Sequence, residues 1–304
     1  MIKSITVVNY LGESLKMELM RPEESGFIIQ NIDGLGPPKA NINITELSTG
    51  DGAVYNSARL SPRNVIIDLI FIPNPTIEHV RQKTYKYFPI KKMVKLQIET
   101  DNRICECSGY VESNEPSIFS RQESTRISIV CNDPYLYSAG EDGLNISEFS
   151  AIEALFEFPF GNESLSNNLV EFSSIQNHAE CNVVYDGDLE IGIKISIYAY
   201  DKATNITIYN PYTRETMRID TDKLEKLTGS ALVAGDELII TTVKNNKSVM
   251  LLRDGVYTNV LNVLDRDADW FQLAKGDNIF MYVAETGVDN LSVRIENQII
   301  YEGI

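Results

Sequence analysis

The sequence predicts a mainly β protein of two domains. The first is a β-barrel-like domain carrying one α-helix and a β-hairpin, and the second is a β-sandwich. Three observations carry that prediction. The chain has 304 residues, more than one compact antiparallel domain ordinarily holds. Apolar and polar residues alternate with a period of two through most of the second half, as in strands with one covered face. A small acidic run, Ser138 to Gly143, lies near the middle and reads as a linker dividing 1–139 from 140–304. Hydrophobic residues make up 43% and charged residues 23% of the chain, enough apolar material for packed cores and too little charge for disorder.

In the first half, Val65 to Ile72 is apolar on both faces apart from Asp68. That pattern describes a central strand, or one whose second face is covered by another subunit. Asn74-Pro75 is expected to open a helix, since Asn caps and Pro is tolerated at the first helical position. Ile77, Val80, Thr84, Tyr87 and Phe88 then recur at helical spacing, and Pro89 ends the segment. This is the one convincing helix in the sequence, with His79 and its basic neighbours on the solvated face. Val94, Leu96 and Ile98 alternate with Lys95, Gln97 and Glu99. Asp101-Asn102 supplies a turn, and Ile104 to Val111 returns as the second strand of a hairpin. Thr125 to Cys131 is a further strand, ended by Asn132-Asp133-Pro134 because proline cannot continue a ladder.

Beyond the linker, Ile191, Ile193, Ile195 and Ile197 share one face, opposite Lys194, Ser196 and Tyr198. Ile206 and Ile208, Met217 and Ile219, Leu238 to Val243, Val249 to Leu252, Ile279 to Val283 and Leu291 to Ile295 repeat the pattern. Asn210-Pro211, Gly235-Asp236, Asp254-Gly255 and Gly276-Asp277 separate these runs as turn signals. Many short strands at this spacing imply two packed sheets. Asn145 to Val170 fits the pattern poorly and reads as a variable insertion or linker.

The formal net charge is -16, which repels nucleic acid and anionic membranes. No stretch approaches the roughly 20 apolar residues of a membrane span. Met1 to Met20 has no apolar core of signal-peptide length and carries Glu13 and Glu18, so the chain is expected to begin at Met1 and stay soluble in the cell that makes it. Cys105, Cys107, Cys131 and Cys181 lack metal-ligand spacing and read as small buried thiols, as in a reducing compartment. His79 and His178 stand apart from any nucleophile–base arrangement. Gly34-Leu35-Gly36-Pro37 lacks the further glycine and helix of a phosphate loop. Asp265, Asp267 and Asp269 lack the glycine and distal glutamate of a calcium loop and read as a solvated acidic turn. Trp270 beside Phe271 is a sugar platform or, more ordinarily, an anchor of a sandwich core or domain contact. No catalytic residue, cofactor or metal is expected.

The order of several short motifs resembles the distal tail (Dit) proteins of long-tailed phages infecting Gram-positive hosts. They are Arg59-Leu60-Ser61-Pro62-Arg63 before the apolar strand, Tyr85-Lys86-Tyr87-Phe88-Pro89 at the helix end, and Cys131-Asn132-Asp133-Pro134-Tyr135-Leu136-Tyr137 closing the first half. In the second half they are Gly187-Asp188-Leu189-Glu190, Asn205 to Asn210, Gly235 to Leu238, Trp270 to Asn278 and Tyr301-Glu302-Gly303-Ile304. The resemblance spans nearly the whole chain. It implies a galectin-like second domain, although the galectin sugar-binding set of histidine and arginine is not recognisable. It further implies a homo-hexameric ring of first domains around a channel through which DNA passes without specific binding. The ring would join the tail tube protein to a hub protein, and the second domains would hold receptor-binding or baseplate proteins. Such a protein would reside in the virion tail tip after assembly in the host cytoplasm. Ring-contact candidates are Arg59 and Arg63, Ile66, Ile70 and Ile72 of the apolar strand, and Ile104 and Tyr110 of the hairpin, which is expected either to reach a neighbour or to bury within one barrel. Trp270 and Phe271 are candidates for a second-domain contact or a sugar platform. The competing reading is a carbohydrate-binding module adhering to a cell wall.

Overall fold

The computed structural model describes residues 1–46, 50–140, 143–150, 152–154, 173–175 and 179–304. The protein is mainly β, built of antiparallel sheets with few helices. It divides into two compact units, Met1–Gly143 together with Ile300–Ile304, and Leu144–Ile299. The last five residues therefore belong with the first unit. Two residues of strand, Ile300–Tyr301, leave too little periodicity to reveal where they pair.

The first unit contains β1 (Ile2–Val8), β2 (Ser14–Glu18), α1 (Pro22–Ser25), β3 (Phe27–Asp33), β4 (Ala40–Glu46), β5 (Ala53–Leu60), β6 (Arg63–Phe71), α2 (Ile77–Tyr87), β7 (Met93–Thr100), β8 (Ile104–Ser117), β9 (Ser124–Cys131) and β10 (Leu136–Ser138). Its main sheet runs β2-β1-β7-β8-β9-β6-β3, and β10 pairs with both β8 and the Ile300–Tyr301 strand. The short helix α1 packs against both β2 and β3, the two ends of that path, and curls the sheet towards a barrel. One face of every strand is apolar because side chains alternate across a pleated sheet. Ile5, Val7, Val65, Ile67, Leu69, Val94, Leu96, Ile98, Ile127 and Ile129 are buried together with Val80 and Phe88 from the helical segment. Gly109 on β8 permits a close strand approach, because a Cβ there would lie 2.8 Å from Ile129 Cγ2 and Cys131 Sγ.

Helix α2 is shifted from the expected start. Thr76, not Asn74, is the cap, and its hydroxyl accepts from the His79 amide at 3.2 Å. The Asn74 side-chain amide donates instead to the carbonyls of Glu23 and Glu24, which orients it away from the helix start.

The second unit contains β11 (Leu144–Ser150), β12 (Ile152–Ala154), β13 (Ser173–Ile175), β14 (Ala179–Tyr185), β15 (Ile191–Gly192), β16 (Lys194–Ala199), β17 (Thr204–Tyr209), β18 (Thr216–Ile219), α3 (Thr221–Thr228), β19 (Glu237–Thr241), β20 (Ser248–Arg253), β21 (Val256–Asn259), β22 (Gln272–Leu273), β23 (Gly276–Thr286) and β24 (Leu291–Gln298). A sheet of order β11-β24-β16-β19-β20-β21 and a sheet of order β14-β23-β17-β18 are its two main layers. Ile195, Ile197, Leu238, Ile240, Val293 and Ile295 of the first layer, and Ile206, Ile208, Phe280 and Tyr282 of the second, are buried. The Phe149 and Tyr282 rings lie 5.5 Å apart, joining strands of different layers. Asp254 and Gly255, both at positive φ, form the two-residue turn between β20 and β21, as the Asp-Gly signal predicts.

Two sequence readings are corrected here. Leu144–Ser150 is a strand, paired with β24 over seven positions, although Asn145 onward reads as an insertion; positions 151 and 155–170 lie outside the described residues. Helix α2 is also not the only helix beyond a single turn. The eight-residue α3 is capped by Asp220, whose carboxylate accepts from the amides of Asp222 and Lys223, and ends at Gly229 in the left-handed conformation. Only Thr221 and Leu224 of α3 are buried, so it shows almost no apolar period. Its cap and terminal glycine were the legible signals.

Candidate functional site

Among the described residues, no three His, Cys, Asp or Glu side chains gather as a metal site. Asp265 faces Lys223 at 3.0 Å and Arg218 at 3.7 Å, and Asp269 accepts from the Thr216 amide at 2.9 Å. The acidic run is thus held by its own neighbours. Cys105, Cys107 and Cys131 are buried thiols. Hydrogen bonding to Cys131, reinforced by burial, holds the Cys107 thiol far above the usual thiol range, as a packing group rather than a nucleophile.

The ring-contact candidates fall in three places. Ile66 and Ile70 lie half-buried on the outer face of β6, with Ile28 directly opposite Ile70 on β3. Tyr110 and Ile104 are exposed on β8, Tyr110 lying opposite Met93 and Val130, and Ile72 is half-buried just beyond β6. The expected hairpin reaches no neighbour through a free edge: β7 pairs with β1 and β8, and β8 with β7 and β9. Its apolar face, Val94, Leu96 and Ile98, is consumed by the core of its own unit.

Arg63 is corrected outright, because it is buried rather than exposed for contact. Its guanidinium donates to four backbone carbonyls, from Nε to Pro134 at 2.7 Å, from Nη1 to Gly34 at 2.5 Å and Gly36 at 2.8 Å, and from Nη2 to Glu302 at 2.7 Å. Burial lowers its pKa from the ordinary arginine value. A planar fork with five donors suits this convergence of carbonyls. Nearby, Arg103 lies 4.4 Å from the Tyr301 ring centre and donates to Gly303, while the Ile304 amide donates to Leu35.

Arg59 leads to a feature that sequence reasoning missed. Among the described residues, strands β4 and β5 pair only with each other, from Ala40–Leu60 to Glu46–Ala53. Every residue of both strands is exposed except half-buried Leu60. A bulge between Asn43 and Ile44 resets the register. Ala40, Leu60, Ile42, Ala58, Ile44 and Tyr55 consequently share one face, which ends in the pair Glu46 and Ala53. Asn41, Arg59, Asn43, Ser57 and Thr45 share the other with Val54. Ile42 and Ile44 are 62% and 53% exposed, and Tyr55 is 62% exposed. The polar face has its own bonds, Asn41 to Ser61 at 2.8 Å and Asn56 to Thr45 at 2.7 Å. The alternation Asn-Ile-Asn-Ile-Thr and the Gly50-Asp51-Gly52 turn were the signals that could have found this arm.

In the second unit Phe271 is buried edge-on against Phe280, their centroids 5.4 Å apart. Half-buried Trp270 has Lys247 Nζ 5.0 Å from its ring centre. It lines an open cleft of about 480 Å³ with Lys223, Leu261, Asn262, Asp265 and Arg266.

A barrel-like unit with a helix, followed by a two-layered β unit, is a fold that this chain shares with a solved phage distal tail protein. Its likeness is to the crystal structure of SPP1 Dit (gp 19.1), described as a paradigm of the hub adsorption apparatus in Gram-positive infecting phages. The TM-score is 0.65 at 12% identity, covering 98% of this chain and 99% of that one. Two structures of the phage P2 baseplate in its activated conformation, with Ca and with Sr, follow at TM-scores of 0.48 and 0.49 and 10% identity, each covering 97% or more of both chains. No family model matches the chain, and neither does any curated protein.

Proposed function

We propose that this chain is a non-enzymatic structural component of a phage-type tail tip. Six copies of the first unit form a ring that joins the tail tube to a hub protein. The second units, galectin-like in architecture, carry receptor-binding or baseplate proteins. The observation that carries this reading is the end-to-end likeness to SPP1 Dit, both units included. A head-to-tail contact that closes on itself produces a ring without leaving a free interface. Six copies bear a formal charge of 6 × (-16) = -96, so a channel with acidic walls lets DNA pass without phosphate binding. The particle is assembled in the host cytoplasm and the protein resides in the virion.

Light scattering on the purified protein is expected to give six times the single-chain mass, and negative-stain images a six-fold ring with peripheral lobes. A single chain at high concentration overturns the reading. The cleft at Trp270 favours a second reading, a cell-wall glycan site, because an indole beside hydrogen-bonding side chains stacks on a sugar ring. Trp270→Ala then abolishes binding to host wall while leaving the melting curve intact. Absence of wall binding by the unaltered protein removes this reading.

A further inference from the structure

The arm β4–β5 has an apolar face that no described residue of its own unit covers. Strands whose side chains alternate in this way have one face on a core, yet here both faces meet solvent. An isolated two-stranded hairpin is marginal in water. This one is nevertheless firmly rooted. It continues the β3–β6 strand pair, Arg63 grips the carbonyls of Gly34 and Gly36 at its base, and the Ser61 amide donates to Lys39 at 3.3 Å. Gly34, at φ +87, allows the turn, and a Cβ there would lie 2.0 Å from the Asn64 carbonyl oxygen. A rigid root lowers the ordering cost of binding.

We infer that β4–β5 is a docking arm whose partner is a second copy of this chain, its Ile42–Ile44–Tyr55 face seated on the outer face of that copy's β6 around Ile28, Ile66 and Ile70. Charge selects the partner. The chain carries -16 overall, so copies repel except through neutral surface. The arm strands hold one acid and one base: Arg59 lies on the opposite face, and Glu46 follows Ile44 on the same face at its tip end, leaving Ala40, Ile42, Ile44, Tyr55, Ala58 and Leu60 as a neutral stretch. An anionic surface finds no complementary charge on that face, and a basic partner finds only Glu46 at its end. The outer face of β6 offers apolar area of the same kind, and its Asp68 is paired with Arg126 at 3.9 Å. Eight residues of β5 span about 26 Å, enough to cross a neighbouring sheet. Arm and seat are different surfaces of one unit, so the contact is head-to-tail and propagates to a ring.

This inference rests on the ring reading, and one experiment separates the two. Light scattering is run on the unaltered chain, on Ile42→Glu/Ile44→Glu, and on Ile66→Glu/Ile70→Glu. Circular-dichroism melting checks folding, and Ile42→Thr/Ile44→Thr serves as an arm variant that keeps strand propensity. The expected result is a multimer for the unaltered chain and single-chain mass for the arm and seat variants, with the arm variants' melting curves unchanged under monomeric conditions. A multimer that survives the arm substitutions overturns the inference and leaves the ring reading standing. A multimer that survives only the seat substitutions overturns the assignment of β6 as the seat. An unaltered chain that stays single overturns both.

Discussion

Two hairpins of the first unit share a sequence pattern and meet opposite fates. In β7–β8, Val94, Leu96 and Ile98 are buried at 1% exposure, between β1 and β9. In β4–β5, Ile42 and Ile44 alternate just as regularly and remain exposed. Alternation states that one face is to be covered; it does not state by which molecule. The hairpin that reads from sequence as able to reach a neighbour is locked inside its own sheet, and the one that projects was overlooked. Long-range pairing decides the matter, because β7 finds β1 across more than eighty residues of chain while β4 finds only β5.

The sharpest way to break this comparison is at the arm's root. Arg63→Ala leaves four carbonyls without their donor, and buried unsatisfied groups cost about 1–3 kcal/mol each. A loss of about 4 kcal/mol or more in denaturant unfolding is expected. A loss below about 1 kcal/mol, within the range of ordinary surface changes, would mean that the root is not held by this residue.

Equal deletions in the two hairpins come next. Leu96→Ala opens a core cavity and is expected to cost about 3 kcal/mol. Ile44→Ala on the bare arm is expected to cost less than about 1 kcal/mol in dilute, monomeric protein. At concentrations where copies associate, the Ile44 effect grows, because a contact present only in the assembly stabilises by mass action. Concentration-independent losses of equal size at the two positions would contradict the division drawn here.

The smallest effect sets a baseline away from both hairpins. Asp220→Ala removes the cap of α3 and is expected to cost about 1 kcal/mol, with the multimer mass unchanged. Hydrogen bonding from the Lys223 amide, with further help from the Lys223 side chain, lowers the Asp220 pKa. Its contribution is therefore present above the unfolded carboxylate value of about 3.9 and is lost as pH falls through the lower folded value. Acid melting of the Asp220→Ala protein should accordingly be the shallower below about pH 4.

Much of the framework was legible in the residues. The mainly β class, the buried isoleucine face from Ile191 to Ile197 and the Asp254-Gly255 turn follow from side-chain alternation and backbone sterics, which act over a few residues. So does the existence of α2, though not its cap, because the Asn74 side chain is drawn away by carbonyls 50 and 51 residues earlier. Tertiary structure alone decided what depends on contacts across the chain. It turned Arg63 from a surface candidate into an internal clamp by converging Gly34, Gly36, Pro134 and Glu302 on one guanidinium. It returned Ile300–Ile304 to the first unit, and it left the β4–β5 face bare. Periodicity records that a surface must leave water, whereas the partner that removes it is set by which distant strands reach their hydrogen-bonding edges first.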